Sequence, residues 1–164
     1  MKPISNWLDE YGQSHQNPIN KKIHWVCVPL IMLSLIGLLW SIPFPFKIPL
    51  FLSLDFLNSF TIEVNWATLF LTFCVVFYYR LSKTIMLGMV VIAVLMIVGV
   101  AVLSYLPLSP VVSCLIIFIL AWIGQFIGHE IEGQKPSFFE DVQFLLIGPA
   151  WLLSFIYDRL GIKY

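Results

Sequence analysis

The chain reads as an all-α integral membrane protein, a bundle of about four transmembrane helices. An N-terminal interfacial helix precedes the bundle, and a C-terminal segment that spans or re-enters follows it. Three observations predict this class. First, 60% of the 164 residues are apolar and only 11% are charged, against roughly 25% charged in soluble domains. That leaves too little polar surface to cover a water-facing globule. Second, apolar runs recur at close to the ~20 residues needed to cross a bilayer. Third, short proline-rich or polar segments (SIPFPFKIP, LPLSP, HEIEGQKPSFFED) punctuate those runs. The length suits a single membrane domain, 1–164. With zero net charge and no basic run, nucleic acid is not an expected partner.

Taken in order, residues 1–22 form an interfacial segment. Within it, 4–14 (ISNWLDEYGQS) places Ile4, Trp7, Leu8 and Tyr11 at helical spacing, with Asp9, Glu10 and Gln13 elsewhere. Such a stripe lies along a membrane surface or caps a bundle. Asn17-Pro18 is a helix start, with Asn17 as N-cap and Pro18 at the first helical position. The first span follows at about 23–42, with a kink expected at Pro29, which cannot donate to the Trp25 carbonyl. Because polar, charged residues precede this run and no small-residue cleavage site follows it, the span is expected to remain as an anchor.

FLSLDFLNSF (51–60), interrupted by Asp55 and Asn58, suits an interfacial or re-entrant piece. The second span is expected at about 64–80, ending in an interface anchor of Tyr78, Tyr79 and Arg80. The third and fourth are expected at about 84–106 and 110–128, and a last apolar segment, 142–157, is interrupted by Pro149. Cys27, Cys74 and Cys114 lie inside apolar runs without CxxC spacing and are expected to be buried small hydrophobes.

With the N-terminus inside, inner segments hold Lys2, Lys21, Lys22, Arg80, Lys83 and Lys135, whereas outer loops hold Lys47. That bias favours an inner N-terminus. Arg159 and Lys163 draw the C-terminus inward too, which favours a re-entrant last segment. In this topology the only histidines, His15, His24 and His129, share the cytoplasmic face. Three neutral imidazoles gathered at one membrane face are suited to a metal site of zinc or iron. Asn20 and His24 share a helix face at i, i+4, as do Gln125, His129 and Glu132 if the helix continues beyond Gly128. Asn17, Asn20 and Gln125 are placed to orient imidazoles. The competing reading is that each histidine is an amphipathic anchor at the interface. Gln125 equally suits interhelical hydrogen bonding.

Counting removes several enzyme classes. Three histidines cannot supply the clustered motifs of membrane di-iron desaturases, and HExxH, GxSxG and P-loop motifs are missing. A mononuclear site with open positions for substrate and oxygen remains.

YGQSHQNPINKKIHWVCVPL, WIGQFIGHEIEGQKPSFF and GPAWLL together resemble the membrane 2-hydroxy fatty acid dioxygenase family, fungal phytosphingosine-degrading enzymes and their bacterial relatives. The resemblance rests on Tyr11, His15, Asn17, Pro18, Asn20, His24 and Pro29, then on Trp122, Gln125, Gly128, His129, Pro136 and Pro149. The middle of the chain, about 43–110, matches only as hydrophobic filler. The resemblance implies an Fe(2+)-dependent α-oxidation of 2-hydroxy fatty acids by O2. It implies His15, His24 and His129 as iron ligands and an acidic residue near them, with Glu132 favoured over Glu130 by helical geometry. Tyr11, Asn17, Asn20 and Gln125 become neighbours of the metal or substrate, and Lys21, Lys22 or Lys135 candidate partners of the substrate carboxylate. The acyl chain is expected between the spans. The implied location is a bacterial inner membrane, or the endoplasmic reticulum in a eukaryote. A zinc-dependent lipid hydrolase and a non-enzymatic helical membrane module are the alternatives. Oligomeric state is not legible.

Overall fold

The computed structural model describes residues 2–46, 49–54, 60–133 and 144–164. It is a helical bundle of α1 (Ile4–Gln13), α2 (Pro18–Ser41), α3 (Trp66–Leu81), α4 (Lys83–Leu103), α5 (Pro110–Glu132) and α6 (Ile147–Leu160). A two-stranded antiparallel ribbon, β1 (Pro49–Leu54) with β2 (Phe60–Glu63), lies between α2 and α3.

Three helices, α2, α4 and α5, are long and apolar enough to cross a membrane, which makes this an all-α membrane fold. The expected second span is shorter, at 16 residues. A capping box between Asn65 and Thr68 starts α3 late. Ser82 then ends α3, donating its N–H to the Tyr78 carbonyl at 2.8 Å, while its side chain caps α4. The ribbon occupies the flanks of the segment expected to be interfacial; Asp55 and Asn58 lie outside the described residues. Its β-branched and aromatic residues favour extended backbone. A ribbon with open edges is excluded from hydrocarbon by its unpaired peptide groups, so it belongs at the interface.

The centre of the bundle is the antiparallel pair α2 and α5. It closes by setting side chains of one helix onto glycines of the other. A Cβ added at Gly37 would lie 2.4 Å from Cys114 Sγ, and one at Gly124 2.5 Å from Cys27 Sγ. Small residues let backbones approach in this way, which is how helices associate in a solvent as apolar as their own side chains. All three cysteines are buried and free, as expected. The helix α2 runs through Pro29 without ending.

Around this pair, α1 lays Ile4, Leu8 and Tyr11 against Ile147, Ala150 and Trp151 of α6. It therefore caps the bundle, one of the two roles its stripe allows. Pro149 is the third residue of α6, in the first turn, where its missing N–H leaves no helical bond unmade. With 14 residues α6 reaches only ~21 Å, short of the ~30 Å hydrocarbon core. It packs on α4, where Tyr157 donates its hydroxyl to the Thr84 carbonyl at 2.8 Å. Tyr78 departs from its expected place in an interface anchor. It is buried and donates to the Leu146 carbonyl at 2.5 Å, whereas its neighbour Tyr79 is exposed. Adjacent helical residues point about 100° apart, so only one of the two can face lipid or water.

Candidate metal centre

Three elements deliver the three histidines. His15 sits in the turn between α1 and α2, its N–H bonded to the Gly12 carbonyl at 3.1 Å. His24 lies in the second turn of α2, whose start is fixed by Asn17 accepting from the Ile19 N–H at 2.9 Å, with Pro18 next. His129 lies in the last turn of α5, which continues past Gly128 to Glu132 and ends at Gly133 with φ +76°. All three rings are buried, with 2%, 1% and 7% of their surface exposed.

One nitrogen from each ring falls within 4.8 Å of the other two. Ring centroids of His15 and His24 are 4.3 Å apart, and each is 5.3 Å from His129. Nδ1 of His15 faces the Tyr11 carbonyl at 2.7 Å, and Nδ1 of His24 faces the Asn20 carbonyl at 3.0 Å. A carbonyl oxygen only accepts, so each Nδ1 carries the proton and each Nε2 of the neutral ring presents a lone pair. Those two Nε2 atoms point at one another across 2.9 Å. Two acceptors at that distance repel unless a cation lies beside both. Nitrogens bound at ~2.1 Å to one ion stand roughly 3 Å apart when they take adjacent coordination positions. The donor set and its spacing therefore fit a metal ion held by His15, His24 and His129.

Glu132 is brought to the same end of the bundle for a different task. Its carboxylate accepts from the Gln16 N–H at 2.6 Å, the Asn17 N–H at 2.9 Å and Asn20 Nδ2 at 2.9 Å. The last turn of α5 is thus tied to the turn carrying His15 and to the helix carrying His24. Donors converging on one carboxylate favour its charged form. The oxygen of the Asn20 amide, Oδ1, is buried and has no hydrogen-bond partner among the described residues. It lies against Gly128, where an added Cβ would approach it to 2.4 Å.

Tyr11 stacks on His15 at 4.2 Å with an interplanar angle of 16°. Gln125 is buried one turn before His129 and, with Tyr11, lines a cavity. Lys21 is half-buried and Lys22 exposed on α2; Lys135 and Pro136 lie outside the described residues. Two contributors were not singled out for the site from the sequence. Trp151 lies 5.3 Å from His15, ring to ring, and 5.2 Å from Tyr11. Gln16 acts through its backbone N–H, for which no side-chain signal exists. For Trp151 the signal was the GPAWLL segment, which does not say which face of α6 turns toward His15.

This fold and centre define a small membrane-embedded helical protein with a buried three-histidine cluster at one end of its bundle. The chain belongs to the Mpo1-like family: the family model described as 2-hydroxy-palmitic acid dioxygenase Mpo1-like matches residues 1–160. No curated protein and no solved structure matches the chain.

Proposed function

We propose that this protein is an iron(II)-dependent dioxygenase that converts a 2-hydroxy fatty acid and O2 into the fatty acid one carbon shorter, CO2 and water. The family's description supports the dioxygenase class and the 2-hydroxy fatty acid theme. The observation that carries the reading is the convergence of three buried imidazole nitrogens within 4.8 Å. The reaction is a four-electron oxidation in which the substrate supplies every electron. It needs no second reductant, in keeping with a chain that has no nucleotide-binding motif.

His15, His24 and His129 would hold the iron, which would supply the redox chemistry that reduces O2 as the C1–C2 bond of the substrate is cleaved. The rest falls to the chain. The Tyr11 and Asn20 carbonyls hold the His15 and His24 rings in the tautomer that presents Nε2. Glu132 fixes the distance between α5 and the α1–α2 turn and hence between the histidines. Tyr11 and Trp151 shield His15 from bulk water. By the lysine and arginine bias, this end of the bundle faces the cytoplasm, in a bacterial inner membrane or the endoplasmic reticulum of a eukaryote.

Three histidines and a metal-bound water suit zinc and lipid hydrolysis as well, so the decisive experiment separates the two. Purified protein is reconstituted anaerobically with Fe(II), given 2-hydroxypalmitate and then O2, and the product chain length is read by mass spectrometry. Loss of one carbon with stoichiometric O2 uptake is expected. Zinc retention with turnover in the absence of O2 overturns the proposal.

A further inference from the structure

Among the described residues two cavities lie in the bundle, with about 370 and 510 Å³ of empty space counted out to their open mouths, and they share Met32, Leu145 and Pro149 as walls. The first is lined by Tyr11, Val28 and Gln125. Each of these stands one helical turn, four residues, from a different histidine: His15, His24 and His129. The cavity therefore lies directly under the metal centre, on the side facing the middle of the bundle. The second continues away from the histidines between α2, α3 and α4, past Leu35, Ile36 and Ala93. At Ile36 it borders the buried cluster of Ile36, Ala67 and Val100.

Along α2 the lining residues Val28, Met32 and Ile36 recur at helical spacing, one turn apart. From His24 to Ile36 is twelve residues, or ~18 Å at 1.5 Å per residue. Half of a ~30 Å hydrocarbon core, the depth that one acyl tail occupies, is ~15 Å. Voids in a packed interior forfeit contact energy, and an apolar guest restores it. Met32, unbranched and adaptable, stands between the two cavities and can swing aside to join them.

We propose that these cavities are one channel that takes the acyl tail of a free long-chain 2-hydroxy acid, holding its head group at the histidines and its terminal methyl near Ile36 and Ala93. The assignment rests on the fatty-acyl reading of the site. It names the specificity determinant: the distance from the histidines to the Ile36–Ala67–Val100 plug measures chain length. On α4 one face belongs to the channel and the other to lipid. Met89 and Ala93 line the cavity, whereas Val91, Val94 and Leu95 are exposed.

The test uses a 2-hydroxy fatty acid carrying a photoreactive diazirine at its terminal carbon, irradiated with the full-length protein in nanodiscs without iron. Labelling on Leu35, Ile36, Leu71 or Ala93, abolished by unlabelled 2-hydroxypalmitate but not by excess phosphatidylcholine, is the expected result. Labelling confined to Val91, Val94 and Leu95 overturns the channel, and so does equal displacement by phospholipid. Ala93→Phe fills the far end and is expected to lower the ratio of palmitoyl-length to decanoyl-length turnover about tenfold or more. Val91→Phe, on the lipid face, leaves that ratio as in the wild type. An unchanged ratio in Ala93→Phe overturns the proposal. Photolabelling requires no turnover, so channel labelling in a protein that fails to oxidise the acid supports the channel while removing the dioxygenase. Oxidation with labelling elsewhere does the reverse.

Discussion

The two ends of this bundle solve the same packing problem with opposite chemistry. At the histidine end, Asn20, His24, Gln125 and His129 are buried where α2 meets α5, and Glu132 ties α5 to the chain entering α2. At the other end, Ile36, Ala67 and Val100 form a buried apolar cluster. Beside it the buried Ser34 hydroxyl donates to the Leu30 carbonyl, and the Asn65 side chain accepts from the Thr68 N–H. Buried polar groups cost free energy unless their hydrogen bonds are met. Ser34 and Asn65 meet theirs within a turn of their own helix, whereas Glu132 meets its own across elements. The difference teaches that the histidine end joins separate elements through polar side chains, whereas the far end is joined chiefly by apolar contact.

Four sets of substitutions would break or sharpen that contrast, in descending order of effect. His15→Ala, His24→Ala and His129→Ala are each expected to abolish stoichiometric metal binding and to lower oxidation by at least ~100-fold, since even groups that only orient metal ligands cost 10- to 100-fold. Metal analysis and oxygen uptake on each variant check this, and full metal content in any one of them would contradict the site. Ile36→Ala, at the opposite end, is expected to cost roughly 2 kcal/mol of bundle stability. That is the low end for such a truncation, because lipid solvates apolar side chains about as well as the interior does. Metal stoichiometry should not move, and unfolding in mixed detergent measures the cost.

Glu132→Ala leaves the Gln16 and Asn17 N–H groups and Asn20 Nδ2 without their acceptor. About 2 kcal/mol of stability is expected to go, together with weaker metal binding, because the carboxylate sets the spacing of two histidine-bearing elements. Glu132→Gln keeps an acceptor oxygen and should fall between wild type and Ala. Equal metal affinity in all three proteins would show that the tie does not reach the histidines. The smallest effects come from a matched pair of helix caps. Asn17→Ala and Asn65→Ala should each cost ~1 kcal/mol. Only Asn17, which opens the helix carrying His24, should also lower metal affinity.

Much of this was legible in the chain. Apolar length marked α2, α4 and α5. Asn17-Pro18 marked a helix start, and the positions of three histidines at the ends of apolar runs marked one end of the bundle. The i, i+4, i+7 spacing of Gln125, His129 and Glu132 placed them on a shared face. What was misjudged has local causes. The capping box at Asn65 starts α3 at Trp66, two residues later than expected, because a side-chain cap sets a helix end more sharply than average hydropathy does. Tyr78 faces inward because its hydroxyl meets the Leu146 carbonyl, a partner 68 residues away.

The sequence by itself determined the solvent and the raw material: a composition that requires lipid, helices of given length, and three imidazoles at one end. It did so because periodicity, capping and hydropathy act over a few residues. Only the tertiary structure decided that Nε2 of His15 and His24 meet at 2.9 Å, that Glu132 spends its charge on backbone N–H groups of a distant turn, and that two cavities align beneath the histidines. Those outcomes depend on how closely α2 and α5 approach through Gly37, Gly124 and Gly128. That approach is a contact between residues remote in the chain, and no local pattern encodes it.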